Sequence, residues 1–262
     1  AYLEQFDPDA DLLTNVERHV LSKGSFLYEE PAFLLRQELR EPATYMAMLE
    51  AIASGASRVT EIAGQIDRDA SSLSRYLKNL SELALLEQET PVTDPDGRSV
   101  YRLTDHFLRF WFRYVAPNRS PLEQGHTAPV RETVAETLPR HVSWAFEDVC
   151  RQAVRTPAFP VACSRVGRWW YDGREIDVAG VNETTETLLL GECKWTTDPV
   201  DPGLLDDLES LEPEVRWRGD DRSVAYALFS KNGFTPALNE LSDERDDLFL
   251  FTPADVLASF AT

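Results

Sequence analysis

From Glu175 to Lys194 the chain reads E-I-D-V-A-G-V-N-E-T-T-E-T-L-L-L-G-E-C-K, two runs of β-forming residues on either side of a polar turn. Such a stretch has few ways to fold other than as a hairpin. A turn centred between Thr184 and Thr185 sets Asp177 opposite Glu192 and Glu175 opposite Lys194. Cross-strand partners share a face, with Cβ atoms roughly 5 Å apart. Period-two alternation then puts Glu192 and Lys194 on that face and turns Ile176, Val178, Cys193 and Trp195 to the other. Leu188 and Leu190 lie on the Glu192 side, so this face is buried before it becomes charged. Charge at the end of a buried strand is costly without a partner, and two facing carboxylates repel unless a cation lies between them.

That requirement points to a chemistry. Magnesium takes hard oxygen ligands, usually one or two carboxylates completed by water and phosphate. Asp177 and Glu192 are candidate metal ligands, with the carbonyl of Cys193 as a third, and manganese would suit the same donors. Lys194 is placed to position a water or to neutralise charge developing on a phosphodiester. The competing reading is a solvated hairpin face with a Glu175–Lys194 salt bridge, worth at most ~1 kcal/mol.

Residues 43–104 carry three short helical patterns and a hairpin. Met46, Leu49 and Ile52 mark a helix from about Ala43 to Ser54, and Val59, Ile62 and Ile66 mark a second after Gly55. A third, from about Ala70 to Leu83, buries Leu73, Leu77 and Leu80 and turns Ser71, Ser74, Arg75 and Lys78 outward. Leu85–Glu89 and Val100–Leu103 read as strands joined by the turn Asp94-Pro-Asp-Gly97. Three helices and a hairpin make a winged helix, whose third helix usually enters the DNA major groove. Ser71, Ser74, Arg75, Lys78 and, on the wing, Arg98 are therefore candidate DNA contacts. Because the helix is only mildly basic in acidic surroundings, a packing or regulatory module is an open alternative.

Phe107, Phe110, Trp111, Phe112 and Tyr114 form an aromatic helix, expected in a core or interface rather than as a base-stacking platform. Pro117 and Pro121 are expected to break it, with a linker following. Beyond lies a helix near Arg140–Val154 with an apolar stripe of Val142, Phe146, Val149 and Ala153. After the central hairpin, Leu204–Leu211 and Pro236–Leu241 read as helices and Val224–Phe229 and Phe249–Phe251 as strands. His19, His106, His126 and His141 lack metal-ligand spacing. Cys150, Cys163 and Cys193 have no paired spacing, and are expected as small buried side chains in a reducing compartment. No Gly-x-Ser-x-Gly elbow occurs, so a serine nucleophile has no support.

Asp177 followed by Glu192-Cys-Lys194 resembles the motif of the restriction-endonuclease-like nucleases, PD-(D/E)xK. A wider set is more specific: EPATYMAMLEAIASG, LSRYLKNL, FLRFWFRYVAPNRSPLEQG, FEDVC, VGRWWYDGREIDVAG, GECKW and LFSKNGFT occur in the order seen in archaeal ATPases of the P-loop signal-transduction type. That resemblance spans nearly the whole chain. It implies an ATPase module followed by a winged helix and a nuclease-like domain, with residues 1–40 as the helical tail of the module. It also implies that Glu147, in FEDVC, joins the catalytic carboxylates. No Gly-x-x-x-x-Gly-Lys-[Ser/Thr] loop is present, so no nucleotide site and no unaided ATP hydrolysis are expected of this chain. Its reading as the C-terminal part of a longer ATPase follows from the resemblance, with a stand-alone gene as the alternative.

The resulting expectation is an α+β or α/β chain. A helical tail (1–40), a winged helix with its aromatic helix (41–116) and a linker (117–135) precede a restriction-endonuclease-like mixed sheet flanked by helices (136–262). Net charge is −19, and lysine occurs only at 23, 78, 194 and 231. An acidic surface so poor in lysine suits a cytoplasm rich in salt. No signal peptide and no apolar run of spanning length appears, so a cytoplasmic location without membrane contact is expected. Two function classes stay open. One is a magnesium-dependent DNA nuclease guided by the winged helix and an ATPase module; the other is a regulatory module that binds DNA or protein without cutting. Homo-oligomerisation is compatible with either.

Overall fold

A computed structural model describes residues 2–261. The chain divides into two compact units, one formed by residues up to Glu89 together with Ser99–Leu138, the other by Thr90–Arg98 together with residues from Pro139 onward. Its architecture is mixed α and β, with a two-stranded and a five-stranded sheet.

In the first unit, helices α1 (Leu12–Val16), α2 (Phe26–Glu38), α3 (Pro42–Ala53), α4 (Val59–Gln65) and α5 (Ser74–Glu82) precede the hairpin β1 (Leu86–Glu89) and β2 (Val100–Leu103). A 3₁₀ turn, Ala70–Leu73, leads into α5, so the expected third helix is a 3₁₀ start with an α continuation. Its apolar spacing does what the pattern requires: Leu73, Leu77 and Leu80 are buried, with Tyr76 beside them. In α3 the buried face is Tyr45, Met48, Leu49 and Ile52, with Met46 only partly covered. Val16, Val20, Leu21, Leu27 and Tyr28 share this core, so the N-terminal helices pack as one body with α3, α4, α5 and the β1–β2 hairpin. Trp111, fully buried, donates its indole N–H to the Tyr28 carbonyl at 3.0 Å. Helix α6 (His106–Phe110) and the π-helical turn after it bury Phe110, Trp111, Phe112 and Tyr114, leaving no stacking platform there.

The expected linker is helical instead. After α7 (Arg119–Glu123), α8 runs unbroken from Ala128 to Val154, twelve residues earlier than expected from its apolar stripe. Pro129 falls in the first turn, where a missing N–H costs nothing. Pro139 sits inside the helix, at the point where the two units divide. Val130 and Val134 are buried against the first unit's core.

The second unit is a five-stranded sheet in the order β3-β4-β5-β6-β7, formed by Arg165–Tyr171, Arg174–Asn182, Thr187–Lys194, Ser223–Ser230 and Leu248–Phe251. The first three strands are antiparallel and the last three parallel. Strand β3, which sequence periodicity had not marked, is joined to β4 by a tight turn at Asp172-Gly173, both with positive φ. One sheet face packs Ala179, Val181, Leu188, Leu190 and Leu228 under α9 (Gly203–Leu211) and α10 (Pro236–Asp243). The opposite face packs Val178, Leu189, Cys193, Ala227 and Phe229 under the second half of α8 and α11 (Pro253–Ala258). Strand β5, central in the sheet between antiparallel β4 and parallel β6, is thus buried on both faces.

Residues 90–98, expected as the tip of the wing, fold with this second unit. Val92 donates its N–H to the Arg168 carbonyl at 2.9 Å and joins the core of Trp169 and Ile176. The Asp94–Gly97 turn forms as expected, its closing bond at 3.0 Å.

Candidate active site

The β4–β5 register is the one the turn centre dictates: Val178 faces Gly191 and Asn182 faces Thr187. The ladder ends at Val178–Gly191, one step short of Asp177 and Glu192. A bulge explains this. Opposite Gly167–Trp169 of β3 the register shifts, so that one residue separates Gly167 from Trp169 while two separate Ile176 from Ala179. An extra residue in one strand breaks the alternation of faces. Ile176 accordingly packs with Ala179 and Leu190, not with Val178 and Cys193 as strict alternation had placed it.

Freed from the ladder, Asp177 turns its carboxylate toward β5 and accepts the N–H of Cys193 at 3.1 Å. Its own carbonyl accepts from Arg151 of α8 at 2.6 Å. Asp177 is buried, and burial pushes its carboxyl above the usual range although the Cys193 N–H, Lys194 and Arg168 pull the other way. Glu192 is pushed up to about 7, first by burial and then by the charge of Asp177. Lys194 donates to Glu192 at 2.8 Å. Burial lowers the pKa of Lys194, but the neighbouring Glu192 outweighs it and the net direction is upward. Asp177, Glu192 and Lys194 therefore form one electrostatically linked group.

Glu147 lies at the same place. It sits 3.9 Å from the Arg151 guanidinium, which also pairs with Asp148, and its charge, like that of Asp177, raises the pKa of the Cys193 thiol. That thiol is buried beside Cys150 in the α8-facing core, so only the backbone of Cys193 can serve a metal. Cys163, partly buried, has its thiol pushed up to about 11 by burial. Glu175 does not reach Lys194: it pairs across to Trp170 and holds Arg168 at 2.7 Å.

Two residues that sequence reasoning missed thus border the site, Arg151 and Arg168. Arg151 stands four residues after Glu147, a helical spacing that signals their pairing. Arg168 acts through a bulge that no single-strand pattern reveals.

The donors suit a hard divalent ion. Asp177 is buried and Glu192 half-buried, burial raises both carboxyls, and a cation between them would offset their mutual repulsion. Among the described residues no cluster of three or more His, Cys, Asp and Glu side chains is arranged to hold a metal, so two carboxylates would be completed by backbone, water or phosphate oxygen.

The candidate DNA contacts on α5 and its 3₁₀ start are exposed, but two have acidic neighbours: Arg75 lies 3.4 Å from Glu41 and Lys78 3.7 Å from Glu82. Ser74 and Lys78 line a cleft of about 450 Å³ with Gln88 and Tyr101. Ser71 is exposed in the 3₁₀ turn, and Arg98 is exposed in the segment that folds with the second unit.

Residues 111–205 match the family model DUF234, described as archaeal and bacterial proteins of unknown function. Asp177, Glu192, Lys194 and Glu147 all lie within the matched stretch. "Uncharacterized protein MJECL04" of Methanocaldococcus jannaschii is 33% identical over 186 residues, 69% of this chain and 42% of its own length. The chain thus spans less than half of that relative. Protein VC1899 of Vibrio cholerae aligns over 96% of this chain and 56% of its own at 16% identity, with a TM-score of 0.26. The O-methyltransferase NcsB1 from neocarzinostatin biosynthesis aligns over 93% and 67% at 15% identity, with a TM-score of 0.21. Scores this low carry no argument about either fold. No helix among the described residues is long and apolar enough to cross a membrane.

Proposed function

We propose that the second unit is a magnesium- or manganese-dependent DNA nuclease and that the chain works as the C-terminal part of an archaeal ATPase. The observation that carries the nuclease reading is the close pair of buried Asp177 and half-buried Glu192, both raised in pKa, with Lys194 bonded to Glu192. Asp177 and Glu192 hold the ion, with the Cys193 carbonyl as a further donor. Bound there, the ion supplies Lewis acidity toward a phosphodiester. Lys194 carries positive charge to the position where the phosphate gains negative charge. Glu147, held by Arg151, takes up a proton from the attacking water. Ser71, Ser74, Arg75 and Lys78 of the winged helix, and Arg98, contact DNA backbone and base edges.

A second reading, a regulatory module that binds without cutting, is favoured by one observation: Arg75 and Lys78 already face Glu41 and Glu82. Phosphate contacts by these cations would have to displace those acids.

The test compares wild type with Asp177→Asn and Lys194→Ala on DNA with Mg²⁺ or Mn²⁺ in high KCl. Each variant should lose at least about a hundredfold in cleavage rate, the scale of removing one preorganised electrostatic partner. Undiminished cleavage by Asp177→Asn removes the site assignment. Bound but uncut DNA in every case supports the regulatory reading.

A further inference from the structure

The turn that joins β3 to β4 projects past the acidic pair. Strand β4 runs antiparallel to β5, so its first residues lie beyond the carboxyl end of β5, where Glu192 and Lys194 stand. Arg174 precedes Asp177 by three residues, about 10 Å along a strand at roughly 3.3 Å per residue. A polymer held at Asp177 and Glu192 and running along β4 toward its first residues reaches this tip within one or two nucleotide lengths.

The tip carries an unusual set of side chains for so acidic a chain. Tyr171 is 52% exposed, and the guanidinium carbon of Arg216 lies 5.4 Å from its ring centroid. Val215 and Trp217 on either side of Arg216 are buried, at 1% and 8% exposure, which fixes the backbone from which Arg216 projects into solvent. Among the described residues Arg216 has no carboxylate partner, whereas Arg174 pairs with Glu214 and Arg218 with Glu183 and Glu186. On the strand before the turn, Arg168 lies 5.9 Å from the Trp170 ring and also bears on Asp177. An exposed ring backed by a cation has the two attractions single-stranded nucleic acid needs, a π-face for a base and a positive charge for its phosphate. A fixed aromatic also loses little entropy on binding.

We propose that the β3–β4 tip, Tyr171 stacked with Arg216, docks a single-stranded segment of nucleic acid flanking the bond presented to Asp177 and Glu192. The proposal rests on the nuclease reading for the identity of the polymer, and makes its own demand on binding. Tyr171 supplies the stacking face and Arg216 the phosphate contact. Duplex ends gain from the site only where they are frayed.

Fluorescence anisotropy of the full chain with labelled single-stranded and blunt duplex oligonucleotides, in Ca²⁺ and at several KCl concentrations, tests this. Tyr171→Ala should weaken single-strand binding at least about fivefold, the lower end of base–aromatic stacking. Tyr171→Phe should bind as wild type, because the ring is kept. Arg216→Ala should weaken binding and make the slope of log K on log salt shallower by about 0.7, one phosphate on a single strand. Single-strand docking by wild type that depends on Tyr171 and Arg216, with no cleavage when Mg²⁺ or Mn²⁺ replaces Ca²⁺, would end the nuclease reading and leave this one standing. Wild-type affinity in both Tyr171→Ala and Arg216→Ala, or absence of single-strand binding by wild type, overturns the proposal.

Discussion

At the residue scale the decisive fact is that Glu192 keeps its proton to higher pH than a carboxyl in water. Its pKa rises from 4.5 to about 7, with burial as the main cause and Asp177 the second. A group that binds its proton more tightly when folded contributes stability that is fully present below the unfolded pKa. That contribution falls as pH rises through the folded value. Without divalent ion, wild type should therefore lose about 3 kcal/mol relative to Glu192→Gln between pH 4.5 and 7.5, at ~1.4 kcal/mol per pKa unit. Urea unfolding of the two proteins in EDTA across this range measures the difference, and parallel curves would show that Glu192 is not strained by burial. Asp177 titrates with it, so the apparent midpoint belongs to the pair. The meeting of these two acids was legible in the sequence, since turn position and strand register follow from local residues. How Asp177 gets there was not. Its carboxylate replaces a ladder acceptor only because β4 bulges against β3, and that depends on a strand pairing that alternation within 175–194 does not contain.

Elements show the same division. Helix α5 and the pair β1–β2 could be read from apolar spacing and the Asp94–Gly97 turn, because those signals are local. Strand β3 was hidden: its run R-V-G-R-W-W-Y interrupts alternation with Gly167 and adjacent tryptophans, and only the Asp172-Gly173 turn betrays a hairpin. The early start of α8 was hidden by its prolines, which break helices in the interior but are welcome in the first turn. Assigning Thr90–Arg98 to the second unit likewise needed Val92 to find its cluster with Trp169. The β5–β6 contact makes a sharper prediction. A Cβ on Gly191 would lie 2.8 Å from the Ala227 carbonyl oxygen and 3.2 Å from the Val178 Cβ, both on neighbouring strands. Neither can yield without moving a strand. Gly191→Ala should cost about 1–3 kcal/mol, the usual range for overpacking. Gly167→Ala meets its nearest atom at 3.5 Å and should stay within about 0.5 kcal/mol of wild type. Chemical denaturation distinguishes them, and equal midpoints for the two variants would contradict the close approach at Gly191.

For the molecule as a whole, charge is the dominant long-range term. With 45 acidic against 26 basic residues, acids outnumber the cations that could pair with them, and the pairs present are largely arginine with glutamate, as at Arg165–Glu183 and Arg245–Glu209. Exposed pairs of this kind are each worth about 0–1 kcal/mol and cannot offset the repulsion. Salt can. The Debye length falls from about 10 Å at 0.1 M to about 3 Å at 1 M, which removes repulsion beyond nearest neighbours while leaving the buried cores untouched. Stability should therefore increase with KCl: Tm measured by circular dichroism should rise by several degrees from 0.1 M to 2 M, since about 1 kcal/mol moves Tm by roughly 2–4 °C in a chain of this size. Sodium sulfate would also raise Tm by strengthening apolar burial, so the comparison must be made with KCl, whose ions act mainly by screening. The same screening weakens phosphate contacts, which fall steeply with salt. Stacking on Tyr171 is less affected. In concentrated salt nucleic-acid affinity should therefore depend more on the ring than on the guanidinium, and the ratio of the Tyr171→Ala to the Arg216→Ala effect should grow from 0.1 M to 1 M KCl. A ratio that stays flat or shrinks would show that charge, not stacking, carries the contact.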